Sequence, residues 1–159
     1  MEALIGWRIL SLVEEIRPGK SARAQMKFWN SDYTFEVLML EAMAQAGGLV
    51  IGAAKDFQTN LVFAKVENAE FGTISKSARS ESNPALLEMV PLLVEAFARD
   101  GVSEQGSWIE AQVTSGTQKI ASAKLFLIDA GDLVGSGKSV TFHSEFLNYY
   151  KVREKIIHA

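Results

Sequence analysis

The chain is organised around one long apolar run, Phe35–Ala54 (FEVLMLEAMAQAGGLVIGAA). From Val37 onward this run contains two polar side chains, Glu41 and Gln45. A run of this length without a polar face predicts a helix that is buried on all sides. Residues four apart lie on the same side of a helix, so Glu41 and Gln45 are expected to share one face. A carboxylate in dry surroundings is costly unless it has partners or a chemical task.

Strand patterns flank this helix on both sides. Two runs before it are separated by the turn signal Pro18-Gly19-Lys20, which predicts a hairpin. Polar and apolar residues alternate in two later runs around Ser115-Gly116-Thr117, which predict a second hairpin. A single strand is expected between the helix and that hairpin. The predicted strands are Trp7–Arg17, Ser21–Phe28, Leu61–Phe71, Trp108–Thr114 and Lys119–Asp129.

One further segment, Ala85–Ala98, fits both helical and strand periodicity, and Pro91 within it disfavours a helix and a central strand alike. The neighbouring hairpin favours a strand here. The resulting order of hairpin, buried helix and three or four antiparallel strands predicts an α+β sheet wrapped around one helix. Asp32 or Thr34 is expected to cap the helix. Ser144–Ile157 predicts a short amphipathic helix, docked on the body of the protein or on a partner subunit.

Composition narrows the functional classes. The 159 residues suit one domain, and the net charge of −3 without a basic run argues against a nucleic-acid binder. The absence of cysteine excludes disulfides, thiol nucleophiles and thiolate metal sites, and the two histidines lie far from any acidic cluster, so no metal site is expected. Glu41, Gln45 and the flanking strands favour a core helix over a membrane span. With no secretory signal in MEALIGWRIL, a cytoplasmic protein is expected.

The helix motif carries a resemblance to a known family. Val37–Gly48 (VLMLEAMAQAGG) resembles the central helix of the hot-dog-fold 3-hydroxyacyl-acyl-carrier-protein dehydratases of the FabZ/FabA type, which carry V-L-[ILM]-[ILV]-E-A-[ML]-A-Q. Val13–Lys20, Leu61–Phe71 and Trp108–Asp129 are similar to strands of that family in the same order. The resemblance implies a hot-dog domain in residues 1–130, followed by a C-terminal extension, 131–159, which contains the short helix.

The family also implies a site and partners. Its members pair two protomers edge to edge and hold an acyl thioester of acyl carrier protein or CoA in a tunnel between them. They use a histidine from a loop before the helix and the motif glutamate, which corresponds to Glu41, with Gln45 as its supporting residue. Glu41 and Gln45 are therefore the expected catalytic residues, without a cofactor. A homodimer or higher oligomer is expected, or a heterodimer with a catalytic homologue.

This chain departs from the family at the histidine. An ungapped count places Lys27 at that position, whereas a gapped comparison fits the upstream strand better and leaves the histidine-bearing segment without a counterpart in this chain. The only histidines are His143 and His158, both in the C-terminal extension. At the helix start Glu36 places an anion where the family uses a backbone N–H to polarise the thioester carbonyl. Three hypotheses follow. The chain is a divergent dehydratase in which Asp32, Tyr33 or His143 replaces the histidine, a hot-dog thioesterase, or a non-catalytic partner subunit or acyl-binding protein.

Overall fold

The computed structural model describes residues 9–26, 34–72, 91–130, 142 and 144–158. In these residues one antiparallel sheet curves around one long helix, α1 (Phe35–Ala54), which confirms the predicted α+β class. A short helix, α2 (Ser144–Tyr149), and a 3₁₀ helix (Val152–Lys155) follow the sheet. The strands are β1 (Leu10–Arg17), β2 (Ser21–Met26), β3 (Leu61–Phe71), β4 (Leu92–Phe97), β5 (Gly106–Ser115) and β6 (Gln118–Asp129).

The strand order across the sheet is β1-β2-β4-β5-β6-β3, so β1 and β3 form its two edges. Both predicted hairpins are confirmed: β1 pairs with β2 and β5 pairs with β6. Their turns contain Gly19 (φ 70°) and Gly116 (φ 59°), in the left-handed region that glycine adopts without steric cost. After α1 the chain enters the far edge of the sheet as β3, beside β6. The helix therefore carries the chain from one half of the sheet to the other.

The ends of α1 follow from local capping. The hydroxyl of Thr34 accepts a hydrogen bond from the backbone N–H of Val37 (3.4 Å), while Asp32 lies outside the described residues. At the other end Lys55 donates its N–H to the carbonyls of Ile51 and Gly52. Asp56 and Phe57 then adopt φ values of 50° and 57°, which take the chain out of the helical path. The helix therefore ends where the sequence predicted.

The strand boundaries resolve the ambiguous segment. β4 begins at Leu92, directly after Pro91, and pairs with β2 and β5. A proline just before a strand removes no hydrogen bond from the ladder, so Pro91 is tolerated there. Residues 85–90 lie outside the described part of the chain, as do the start of the first predicted strand and the end of the second.

The core lies between α1 and the inner face of the sheet. Leu38, Met39, Met43 and Leu49 of the helix are fully buried. They share one core with inward residues of β1, β2, β4, β5 and β6, among them Val13, Met26, Val94, Ile109, Val113 and Leu125, whereas β3 contributes only partly buried residues. A Cβ atom at Gly47 would lie 2.9 Å from Cγ2 of Ile109. The helix therefore approaches β5 as closely as a glycine backbone allows.

The prediction of a helix buried on all sides is wrong along one face. Val37 is 43% exposed, and Leu40, Glu41, Ala44 and Gln45 are only half-buried. The sheet of one chain curves around the helix from one side, so it cannot cover the whole circumference. The length and hydropathy of α1 would also fit a membrane span, but most of its residues are buried within this fold.

Substitution of the adjacent glycines of α1 tests the close approach to β5. Gly48→Ala should raise the free energy of unfolding by about 0.5–1 kcal/mol, because alanine favours helix and its Cβ would meet ordinary contacts of 3.7 Å or more. Gly47→Ala should instead lower stability by roughly 1–3 kcal/mol relative to Gly48→Ala, because buried Ile109 must move. Urea unfolding at fixed protein concentration measures both. Equal stability of the two variants would contradict the close approach.

Candidate functional site

The incompletely covered side of α1 contains Glu41 and Gln45. We call it the open face and define it by five residues at helical spacing: Val37, Leu40, Glu41, Ala44 and Gln45. All other residues from Leu38 to Gly52 are buried. Two polar side chains therefore lie within an apolar surface that is partly accessible to solvent.

Glu41 and Gln45 contact each other directly. Nε2 of Gln45 donates a hydrogen bond to Oε1 of Glu41 at 3.0 Å, which confirms that the two side chains share one helix face. A hydrogen bond to an ionised carboxylate is stronger than one between neutral groups. The amide therefore restrains the position of the carboxyl group. A carboxyl group held in this way at an apolar surface can donate or accept a proton.

The inner face of β3 lies beside the open face. Phe63 pairs with Leu127 and Val66 pairs with Leu125, both of which are buried on the inner side of β6, so these side chains also face inward. Leu61 lies next to Gly48 of the helix, whereas Phe63 is 43% exposed. The inner side of β3 therefore approaches α1 at Leu61 and is partly accessible to solvent at Phe63.

The outer face of β3 has a different character. Lys65 forms an ion pair with Glu67 at 2.7 Å, and the hydrogen bond from Lys65 lowers the pKa of the exposed Glu67 carboxyl group. The ammonium groups of Lys65 and Lys124 lie 5.9 and 4.9 Å from the ring centroid of Trp108. Because the outer face is charged and the inner face is apolar, a ligand or partner with apolar surface fits the inner side.

The structure describes only part of the remaining predicted site. Lys27, Asp32, Tyr33 and His143 lie outside the described residues. His158 is exposed and borders an open groove with Arg17, Pro18 and Lys20, next to the β1 edge of the sheet. The turn beside His158 contacts the C-terminal half of α1, where the backbone N–H of Gly19 donates to the carbonyl of Val50 at 3.1 Å, whereas Glu41 lies in the N-terminal half of the helix.

In residues 9–26, 34–72, 91–130, 142 and 144–158, no group of three or more His, Cys, Asp or Glu side chains is positioned to hold a metal ion.

The sequence did not single out Phe63 and Val66 as part of the site. The only available signal was the unbroken apolar run from Leu61 to Ala64 in a strand that otherwise carries charges.

Comparison with known proteins identifies the fold. No family model and no curated protein matches the sequence. Among solved structures, a hypothetical thioesterase from Streptococcus pneumoniae with coenzyme A aligns with a TM-score of 0.58 at 13% identity, over 83% of this chain and 98% of that one. The dehydratase heterocomplex ApeI:P from Xenorhabdus doucetiae aligns with a TM-score of 0.58 at 14% identity, over 79% and 85%.

A third structure, a sigma28-regulated virulence protein from Campylobacter jejuni, aligns with a TM-score of 0.58 at 11% identity, over 79% of this chain and 88% of that one. These likenesses establish that the chain has the hot-dog fold. At identities of 11–14%, these similarities show the fold and not the activity. The closer resemblance of the helix motif to one dehydratase family remains a prediction.

A double-mutant cycle tests the Glu41–Gln45 contact. Glu41→Ala, Gln45→Ala and the double variant should give a coupling energy of about 0.5–1.5 kcal/mol in urea unfolding at neutral pH, since a half-buried hydrogen bond is broken in each. Glu41→Ala combined with Lys119→Ala, a surface residue at the β5–β6 turn, is the control pair and should show no coupling. Additive effects at Glu41 and Gln45 would contradict the contact.

Proposed function

We propose that this protein binds acyl thioesters, carried by acyl carrier protein or CoA, at the open face of α1. The observation that carries the proposal is the hydrogen-bonded Glu41–Gln45 pair within a partly exposed apolar surface. Ligand sites combine a mostly apolar lining with a few placed polar groups, and this surface has that composition. In this proposal the acyl chain packs against Leu40, Ala44 and Phe63, and the thioester group lies beside the carboxyl group of Glu41.

A second protomer is part of this proposal. Val37 of α1 and Phe63 of β3 are exposed apolar side chains, each with half-buried apolar residues beside it, and we take them as parts of one apolar surface next to the β3 edge. Such surfaces are typical of interaction sites, and pairing of two copies about this edge would cover both open faces. The thioester would then lie between the protomers, with each Glu41 shielded from bulk water. A homodimer or higher oligomer in the cytoplasm is the proposed working form.

The proposed reaction is dehydration of a 3-hydroxyacyl thioester, as in fatty-acid or polyketide-type biosynthesis. A proton leaves the α-carbon, the bond between the β-carbon and oxygen breaks, and the departing hydroxyl group takes a proton to become water. The carboxyl group of Glu41 donates that second proton. The α-proton requires another group, and Asp32, Tyr33 and His143 are the predicted candidates. The resemblance of the helix motif to dehydratases supports this reaction over others.

Thioester hydrolysis is the second candidate, and the likeness to a thioesterase with coenzyme A favours it. Here the Glu41 carboxylate would take a proton from water as the water oxygen attacks the carbonyl carbon. The carbon–sulfur bond then breaks and the thiolate leaves. This reaction needs one carboxylate and no histidine, which fits the residues known at the open face.

A non-catalytic role is the third candidate. The likeness to a dehydratase heterocomplex favours a subunit that pairs with a catalytic homologue. In that arrangement the homologue would supply the histidine, and the open face of this chain would complete the acyl site.

An activity assay with two readouts tests these candidates. Purified protein is incubated with 3-hydroxyacyl-CoA substrates of short and medium chain length, and enoyl thioester and free thiol are measured in parallel. We expect enoyl product, and a loss of about 10²–10⁴-fold in Glu41→Gln, because that variant cannot transfer a proton. Glu104→Gln, an exposed glutamate in the β4–β5 connection, is the matched control and should keep the wild-type rate.

Each other result has a distinct meaning. Free thiol without enoyl product, lost in Glu41→Gln, would replace dehydration by hydrolysis. Activity that appears only with a histidine-bearing homologue would assign the partner role. An inert protein that also fails to bind acyl-CoA in calorimetry would contradict the proposed site itself.

Charge substitutions at the two sheet edges test the proposed pairing. Phe63 on β3 and Leu12 on β1 are equally exposed, at 43%. Phe63→Glu should weaken association by about tenfold or more, because it buries a charge in the apolar contact. Leu12→Glu should leave association unchanged. Light scattering over a concentration series measures both, and an equal effect of the two substitutions would refute pairing through the open face.

A further inference from the structure

A groove of about 370 Å³ lies between the β1–β2 turn and the end of the C-terminal segment 144–158, and we call it the basic groove. Among the described residues it is lined by Arg17, Pro18, Lys20, Ile157 and His158. Three of these side chains carry N–H donors, and none of the five is acidic. The basic groove therefore offers hydrogen-bond donors and positive charge without a carboxylate in its described lining.

The first wall of the basic groove, the β1–β2 turn, is held by backbone hydrogen bonds. The N–H of Gly19 donates to the carbonyl of Val50 in α1 at 3.1 Å, and the N–H of Lys20 donates to the carbonyl of Arg17 at 2.9 Å. The carbonyl of Lys20 accepts a hydrogen bond from the N–H of Ala98 at 2.9 Å. The fold therefore fixes the backbone that carries Arg17 and Lys20.

The second wall, the end of segment 144–158, is attached to β1. Tyr150 is buried, and its hydroxyl group donates a hydrogen bond to the carbonyl of Leu10 at 2.5 Å. The N–H of Ile157, the residue before His158, donates to the carbonyl of Ile16 at 2.8 Å. Both walls are thus ordered before a ligand enters, which reduces the entropy that binding costs.

The donors of the basic groove have spare capacity. Within the described residues, the side chains of Lys20 and His158 make no hydrogen bond or ion pair. Arg17 uses Nε for the carboxylate of Glu15 at 2.7 Å, which leaves the terminal nitrogen atoms of its guanidinium group for a second anion. The ring of His158 has at least one N–H donor in either protonation state.

The composition of the lining indicates the chemistry of the ligand. A phosphate monoester carries roughly two negative charges at neutral pH and has several acceptor oxygens, which suits a site with three donor side chains. Pro18 and Ile157 add apolar surface, and Ile157 is 39% exposed. The volume lies within the range of small-molecule sites and leaves room for an organic group beside the phosphate.

We propose that the basic groove binds a small organic phosphate monoester. Its phosphate group contacts Arg17, Lys20 and His158. Its organic part packs against Pro18 and Ile157.

The basic groove and the open face are separate sites within one protomer. The turn that forms the groove meets α1 at Val50, whereas the open face contains Glu41 of the same helix. At 1.5 Å per residue, these two positions are about 14 Å apart along the helix axis. Phosphate binding in the groove is therefore a property beyond acyl-thioester binding and independent of it.

Calorimetric titration of the full chain with phenyl phosphate tests the proposal, at low ionic strength because salt screens exposed charges. Lys20→Ala and His158→Ala should each weaken binding by about threefold, and the double variant by about tenfold, since each loses one solvent-exposed contact. Both residues are exposed, so the variants should fold like wild type. Lys119→Ala, which removes an exposed lysine at the β5–β6 turn, is the matched control and should keep the wild-type affinity.

Two further ligands separate the contributions of the phosphate and the organic group. Benzoate keeps the ring but carries a carboxylate, and inorganic phosphate lacks the ring. Each should bind about threefold more weakly than phenyl phosphate, or weaker still. Glu41→Gln should bind phenyl phosphate like wild type, because Glu41 is not part of the groove.

Weaker binding confined to the Lys20 and His158 variants supports the proposal. No binding by wild type, or an equal loss in Lys119→Ala, overturns the groove as a site. Benzoate or inorganic phosphate binding as tightly as phenyl phosphate overturns the assigned ligand class. A loss in Glu41→Gln would assign phenyl phosphate to the open face and overturn the proposal. Failure of acyl-thioester binding changes none of these outcomes, so the two proposals can fail separately.

Discussion

A helix without a polar face needs cover around its whole circumference, and the sheet of one chain reaches only part of it. This constraint accounts for the main features of the molecule. The sheet curves around α1, and Gly47 brings the helix against Ile109 of β5. The remaining side, from Val37 to Gln45, is left for contacts beyond the described residues. Glu41 lies on this side of the helix, half-buried and hydrogen-bonded to Gln45.

The two edges of the sheet, β1 and β3, differ in how they are covered. At β1 the chain uses its own C-terminal segment, through Tyr150 and Ile157, to satisfy edge carbonyls. At β3 the strand is amphipathic, with Lys65 and Glu67 on its outer face and Phe63 on its inner face. One edge is therefore covered from within the chain and the other presents an apolar side next to α1. The two edges therefore present different surfaces to any partner.

Local sequence patterns predicted the long helix and the hairpins, whereas contacts between distant residues determine the strand order and the burial of α1. The extent of α1, its Thr34 cap and both hairpins follow from periodicity and turn residues, because those signals act within a few residues. The Glu41–Gln45 contact follows from helical spacing alone. The position of β3 beside β6 could not be predicted, since strand order depends on pairing across the fold. The burial of α1 was overestimated because a sequence does not state how many strands surround it.

The contact between Tyr150 and Leu10 joins residues 140 positions apart in the chain. During synthesis β1 and β2 emerge before segment 144–158. At about 5–20 residues per second, the edge of β1 stays uncovered for several seconds or longer on each ribosome. Neighbouring ribosomes on one messenger RNA would hold such edges close together. The edge of β1 is therefore exposed to other extended segments until residues 144–158 have been made.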